Sequence, residues 1–577
     1  MRERTMRWYF EPRRDDDGTR HDEDHSAPGL IDLPATVLQR HGALVLDPGQ
    51  AVAVRDQPTP RSTVYRASSL LIPDTLLQDQ GFIAAVDRIL ERVGMNLIPP
   101  GQDRDLVDGD GDREIIEALR QLPRPAVLVP ARDNPVPAKI DAWIALQTLR
   151  AAAGGEKRMD LDETAVQQIG LEHLLVGSAI TGSPAGNSGG ALTGNNSGVT
   201  GPSSTDSYTY AGGDTRTPVA VVFDPPKRNP PGTPEFPRRP VVAVLDTGAR
   251  MHPWLDVKPD PDGRYSTIDD GFVAIDKKIQ QAIYAEGNGA AEAGDRHRQV
   301  IKYAWDTRVT ADPLVGELDT DTGHCTFISG IVRQVAADAQ VLAIRIMHSD
   351  GIINEGDLLC ALRHLIKRIA LAEQGAMATM VDVVSMSFGY FSESDDVAYN
   401  PGLRKAIDIL LSLGVTVVAA AGNYSTSRRF YPAAFTQQPL PEGQVPLLAV
   451  GALNPDGSKA LFSNGGRWIT TWAAGAAVVS TFPTDINGSR SPEIRMRAHP
   501  GNEMPPGSPL PPDREALDLD DYSGGFASWS GTSFSAPLVA AHVAAALLEA
   551  APTLSLPGKQ AARDRVLAAL ENLGWEG

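Results

Sequence analysis

The chain has 577 residues, 42% of them hydrophobic and 22% charged, with a formal net charge of -19. Its composition is that of an ordinary globular protein, and its length exceeds what one hydrophobic core usually holds, so two domains are expected. The acidic balance argues against nucleic acid or anionic membrane as a partner, and two cysteines, Cys325 and Cys360, make no disulfide framework.

The opening leads through Trp8-Tyr9-Phe10 into a charged run from Arg13 to Asp17. It holds neither the apolar stretch nor the small-residue cleavage site of an export signal, and no apolar run reaches membrane-spanning length. A cytoplasmic location is the expectation. Residues 1–60 are polar and proline-rich and read as mostly disordered or irregular, above all through Gly29.

A small α+β domain is predicted over 61–176. Residues 63–72 and 95–98 suit strands, and Phe82, Val86, Ile89, Leu90 and Val93 recur at helical spacing before a stop at Gly94. Helices are predicted over 113–122 and 139–152, a strand over 126–130, and a further short helix around 163–175. The acidic motif Asp108-Gly109-Asp110-Gly111-Asp112 fails as a calcium loop. Its sixth position, which needs glycine, is Arg113, and its twelfth, which needs glutamate, is Leu119. An acidic helix cap fits it better.

Residues 177–237 read as a linker. The first part, to 213, is dominated by Gly, Ser, Thr and Asn; a short strand candidate at 219–223 follows, then a stiffer proline-rich stretch. Any maturation cleavage is expected within this segment.

From 238 to 577 apolar strands alternate with helices. The runs 241–245, 341–346, 381–386, 415–420 and 447–450 are nearly all apolar, as suits strands buried on both faces, and helices are predicted at 355–371 and 401–413. This pattern gives an α/β fold with a parallel sheet between helices, and functional groups belong at the carboxyl ends of its strands.

Four motifs stand in this region: Val244-Leu245-Asp246-Thr247-Gly248, Gly323-His324-Cys325-Thr326, Ala420-Ala421-Gly422-Asn423 and Gly531-Thr532-Ser533-Phe534-Ser535-Ala536-Pro537. An apolar run from Leu538 to Leu548 follows the last, which puts Ser533 in the first turn of a buried helix. In this order, Asp, His, Asn, Ser, the chain resembles the subtilisin-like serine protease family over roughly 238–550.

The resemblance implies a three-layer α/β/α domain with a mainly parallel sheet and a serine endopeptidase acting on protein or peptide without a cofactor. Ser533 is then the nucleophile, His324 the general base, Asp246 its orienter and Asn423 an oxyanion donor. Substrate contacts are implied at Ser387, Phe388 and Gly389, where substrate adds as a strand, and at Ala421 and Gly422. His252, in a His-Pro-x-Leu continuation, reads as structural. Phe430 either shallows the pocket for the residue before the scissile bond or turns into the core.

Cys325 departs from the family, which carries a second glycine after the histidine, and raises the prospect of sensitivity to thiol reagents. The run Asp319 to Cys325 mixes hard and soft ligands without zinc spacing, so no metal is expected. The segment 332–338 is short, and no calcium is expected where many relatives bind it. Two insertions, about 77 residues between Asp246 and His324 and another between Phe482 and Gly525, read as lids, binding loops or disorder. By position and pattern the small N-terminal domain reads either as an analogue of the family's prodomain, in which case contact with the protease domain in cis is expected, or as an independent recognition or regulatory domain. The rival readings are a regulatory or binding protein with a capped or inactive protease domain, and an esterase using the same triad.

Overall fold

The computed structural model describes residues 8–11, 33–54, 59–103, 113–131, 139–153, 161–179, 216–220, 222–233, 236–259, 265–307, 310–312, 317–373, 375–394, 401–486, 495–496, 514–515, 522–549 and 553–576. The acidic motif at 108–112 and the glycine-rich residues 180–215 lie outside them, as does most of the insertion before Gly525.

Long runs of Val, Leu and Ala cannot leave either face in water, and here they form a central sheet covered on both sides. Its spatial order is Trp8–Phe10, Thr471–Ala474, Leu447–Leu453, Thr416–Ala420, Val383–Met386, Val241–Asp246, Gln340–Arg345 and Val273–Ile275. The strands run parallel except Trp8–Phe10, which pairs antiparallel at the edge. Helices pack in two groups, His324–Val335 with Thr532–Glu549, and Lys277–Glu292 with Glu355–Glu373 and Pro401–Ser412. The result is the expected three-layer α/β/α arrangement. The helix Thr532–Glu549 is apolar enough to cross a bilayer by composition, yet 78% of it is buried inside the protein.

A second sheet is antiparallel throughout its described strands. Its order is Ile352–Asn354, Gly170–Gly177, Val64–Pro73, Pro123–Pro130 and Met95–Ile98. Side chains on its strands alternate between two cores. Leu70, Ile72 and Leu171 join Phe82, Val86, Ile89 and Leu146 from the helices Gln80–Leu90 and Ala142–Ala153. Leu71 points the other way, into the large core shared with the central sheet, and that core also takes in Leu174 and Leu175 further along Gly170–Gly177.

Four expectations need correction. Residues 163–175 are not one helix: Glu163–Gln167 is helical, and Gly170–Gly177 is a strand. Its leucines fit a helical repeat, but neighbours on both sides demand an extended chain. The opening 60 residues are not irregular throughout, since Trp8–Phe10 closes the central sheet, Ala35–Arg40 is a helix and Ala43–Val45 pairs with Val64–Pro73. The strand expected at 219–223 falls at Thr217–Pro218 instead, and Val222 is 75% exposed. The insertion after Asp246 is a buttress instead of a lid. It supplies the edge strand Val273–Ile275 and the helix Lys277–Glu292, whose Glu286 meets Arg124 of the second sheet at 2.8 Å and Arg363 at 3.1 Å.

Candidate active site

Asp246 is the last residue of its strand, where the backbone leaves the sheet and a side chain can face a neighbouring helix end. His324 opens the helix His324–Val335 directly opposite, with its Nδ1 at 2.9 Å from both carboxylate oxygens of Asp246. Gly323 turns the chain into that helix at φ 84, and a Cβ there would lie 2.5 Å from the Phe482 ring. Only glycine fits such a turn at such a distance.

With Nδ1–H given to Asp246, the other ring nitrogen of His324 is an acceptor. That Nε2 is buried and has no hydrogen-bond partner among the described residues. Burial works against protonation of the ring, but the Asp246 carboxylate, backed by Asp321 and Asp306, outweighs it and raises the pKa above the ordinary imidazole value. Asp321 and Asp306 are themselves pushed up to about 6, chiefly by burial.

Ser533 is the second residue of the helix Thr532–Glu549. Phe534, next in sequence, and Trp529 hold the His324 ring at centroid distances of 5.5 Å each. The Ser533 hydroxyl donates to the Ser387 carbonyl at 3.1 Å, so in this state it is turned away from a bond to the imidazole. Asn423 lies three residues beyond the strand Thr416–Ala420. Its Oδ1 accepts from the Thr532 amide at 2.9 Å and the Thr532 hydroxyl at 2.8 Å, which leaves Nδ2 free to donate into the cleft.

What Nδ2 meets was not foreseen. The strand Gly170–Gly177 runs through the cleft between Ile352–Asn354 and Phe388–Gly389, antiparallel to both. Just past it, the Ser178 amide donates to the Ser387 carbonyl at 2.9 Å. The Ser178 carbonyl then accepts from Asn423 Nδ2 at 2.5 Å and from the Ser533 amide at 3.0 Å. Gly531, at φ 153, makes the approach possible, since a Cβ there would lie 2.5 Å from the same carbonyl oxygen. The chain thus lies across its own site with one carbonyl polarised by two donors.

The remaining expected residues divide by role. Ser387 and Gly389 offer backbone to the docked strand, as does Phe388, whose ring is fully buried. The Gly422 amide donates to Thr532 Oγ1 at 3.0 Å, and the Ala421 carbonyl accepts from Asn464 at 2.7 Å, so both brace the run that carries Asn423. Phe430 is buried against Gly389 and Gly422. His252 is 2% exposed and accepts from the Trp254 amide at 3.1 Å, a turn-forming role. Sequence reasoning missed Gly177, Ser178 and Asp321. A Gly-Ser pair at a linker boundary is the one signal that was available.

Cys325 follows His324 in its helix and is fully buried and not disulfide-bonded. Burial, then the Asp246 charge, lifts its thiol well above the usual range, so almost no thiolate forms near neutral pH. The native protein is therefore expected to resist iodoacetamide. Labelling at Cys325, read by peptide mass with and without denaturant, checks this and should appear only in the denatured sample.

The profile of the Subtilase family, peptidase S8, matches residues 238–570. Among curated proteins, a thermophilic serine proteinase of Bacillus sp. (strain AK1) is 29% identical over 43% of this chain and 46% of its own. Subtilisin BL of Lederbergia lenta is 26% identical over 43% of this chain and 70% of its own. Subtilisin-like protease 3 of Pseudogymnoascus destructans is 28% identical over 30% of this chain and 39% of its own. The chain thus spans less than half the length of two of these three. A solved cold adapted subtilisin-like serine proteinase covers 58% of this chain and 86% of its own at 16% identity and a TM-score of 0.31, a superposition too loose to bear on the site.

Proposed function

This chain belongs to the subtilase family, and from that premise we propose that it is a serine endopeptidase whose first substrate is its own Ser178–Ala179 bond. The single observation that carries the reading is the Ser178 carbonyl, which accepts from Asn423 and from the Ser533 amide at once. Two fixed donors on one carbonyl oxygen are what a tetrahedral oxyanion needs.

In this reading the Ser533 hydroxyl rotates from Ser387 towards His324 Nε2 and gives up its proton there. Its oxygen adds to the Ser178 carbonyl carbon, and the negative charge collects on the oxygen held by Asn423 and the Ser533 amide. The tetrahedral adduct collapses as His324 returns the proton to the Ala179 nitrogen. That breaks the peptide bond and leaves Ser178 as an ester on Ser533. Water, activated by the same imidazole, releases it. Asp246 holds the ring in the Nδ1–H form and stabilises the imidazolium.

The test is the intact mass of the purified wild-type protein. Fragments 1–178 and 179–577 are expected, the second beginning at Ala179. A wild-type chain that folds, is never cut at this bond and takes no fluorophosphonate probe at Ser533 would favour the rival reading, a protease domain kept capped by the segment in its cleft.

Asn423→Ala is expected to slow self-cleavage about 10²–10³-fold. That range is the one known for subtilisin's own oxyanion asparagine. Since Asn423 also accepts from Thr532, a time course of cleavage should be read beside a thermal melt that shows the variant folded.

A further inference from the structure

We propose that this protease is built to cut after a small residue preceded by glycine, so that the bonds following Gly-Ala and Gly-Ser pairs are its substrates and bonds after large apolar residues are not. The inference rests on the self-cleavage reading, since it takes Ser178 as the residue before the scissile bond.

Two backbone runs flank Ser178. One is Ser387 to Gly389, which receives its amide; the other is Ala421 to Asn423, which donates to its carbonyl. A long side chain at this position would have to enter between Gly389 and Gly422. That space is filled. A Cβ built on Gly389 would run into the Phe430 ring, and one on Gly422 would lie 3.0 Å from the same ring. Phe430 is 1% exposed, wedged against Phe391 at 5.1 Å and Tyr424 at 5.6 Å between ring centroids. It cannot swing out cheaply, because Tyr431, next in the chain, exchanges two 2.9 Å backbone hydrogen bonds with Tyr390.

What space is left takes a side chain of serine size. Ser178 is 2% exposed, and its hydroxyl is buried without a hydrogen-bond partner among the described residues. An orphaned hydroxyl in a dry niche costs stability, so alanine should serve at least as well as serine.

The neighbour before it is restricted for a different reason. A Cβ on Gly177 would lie 2.9 Å from Asp321 Oδ1 and 3.4 Å from the Met347 thioether. Asp321 has nowhere to retreat. Its other oxygen presses on Gly351 and accepts from the Thr320 hydroxyl at 2.8 Å, and the side chain is buried. Glycine is the residue that leaves this carboxylate undisturbed.

The experiment is the rate of self-cleavage of the full chain with single changes in the docked segment, each checked for folding by thermal melt. Ser178→Ala is expected to cleave at about the wild-type rate or faster. Ser178→Phe, Ser178→Leu and Gly177→Val should each be slower by about tenfold or more, the scale on which a pocket rejects a misfit. The diagnostic variant combines Ser178→Phe with Phe430→Ala and should regain about tenfold over Ser178→Phe. Phe430→Leu serves where Phe430→Ala does not fold. Cleavage of Ser178→Phe at the wild-type rate overturns the proposal, as does a folded double variant that regains nothing. Free cleavage of Gly177→Val overturns its glycine half. If the wild-type chain itself is never cut, the underlying self-cleavage reading fails, and this one with it.

Discussion

The Ser533→Ala chain is expected to remain a single polypeptide of 61.6 kDa and to take no fluorophosphonate label, while the wild type is cut after Ser178. Removing the nucleophile leaves the two donors on the Ser178 carbonyl and the His324–Asp246 pair in place, so the docked geometry should survive with no attacking atom. In subtilisin, loss of the equivalent serine lowers kcat about 10⁶-fold, and a fall of similar size would make cutting undetectable over days.

The wild-type fragments are expected to elute together from a sizing column. Residues before the cut grip the catalytic domain at several distant places, Arg124 on Glu286 among them. Beyond the docked strand, Trp8–Phe10 forms the edge of the central sheet, Trp8 stacks on His542 at 5.2 Å, and Glu11 meets Lys459 at 3.2 Å. Several linked contacts let go far more slowly than one. Cutting of the Ser533→Ala chain at 178–179 would show that another protease makes the cut.

His173→Leu, made in the Ser533→Ala background to keep the chain whole, is expected to destabilise the protein by about 3–5 kcal/mol. His173 lies on the docked strand, fully buried, with Nδ1 at 2.8 Å from Glu355 and Nε2 at 2.8 Å from Glu393. Burial disfavours its charge, yet the Glu393 and Glu355 carboxylates overcome this and raise its pKa to about 10. The ring is therefore a cation clamped between two buried anions. Deleting it strands two negative charges in the core, which is the costly way to break such a group.

The sign of the pH dependence follows from the same shifts. A raised His173 pKa means this stabilisation is complete below the ordinary imidazole value and is lost as pH climbs through about 10. Glu393 titrates below the ordinary carboxylate range, because His173 and its hydrogen bond outweigh burial, so its share is lost as pH falls through that lowered value. Urea melts at several pH values should show the parent's stability falling as pH rises from the ordinary imidazole value of 6.5 to about 10, with a flatter slope over that range in His173→Leu. Equal slopes in the two proteins would refute the clamp.

The parallel strands of the catalytic domain were readable because each is a run of apolar residues buried on both faces, a local property that needs no knowledge of neighbours. Asp246, Asn423 and Ser533 were legible for a related reason, since each stands where such a run ends or a buried helix begins. The miss that mattered was Gly170–Gly177. Leu171, Leu174 and Leu175 satisfy a helical repeat as well as a strand, and nothing local chooses between them. The choice is made by Glu355 and Glu393 meeting His173, by Arg298 meeting Glu172 at 3.0 Å, and by two strands of the catalytic domain that take up the backbone on either side. Those partners lie more than a hundred residues away in the chain.

Pattern and motif therefore sufficed for the α/β class and for the chemical groups gathered at the sheet's end, because burial periodicity and turn chemistry act over a few residues. Which segment fills the cleft, which carbonyl meets Asn423 and how much room Phe430 leaves were decided by contacts between distant parts of the chain. Hydrogen bonds and buried charges take their value from partners that only folding brings within reach.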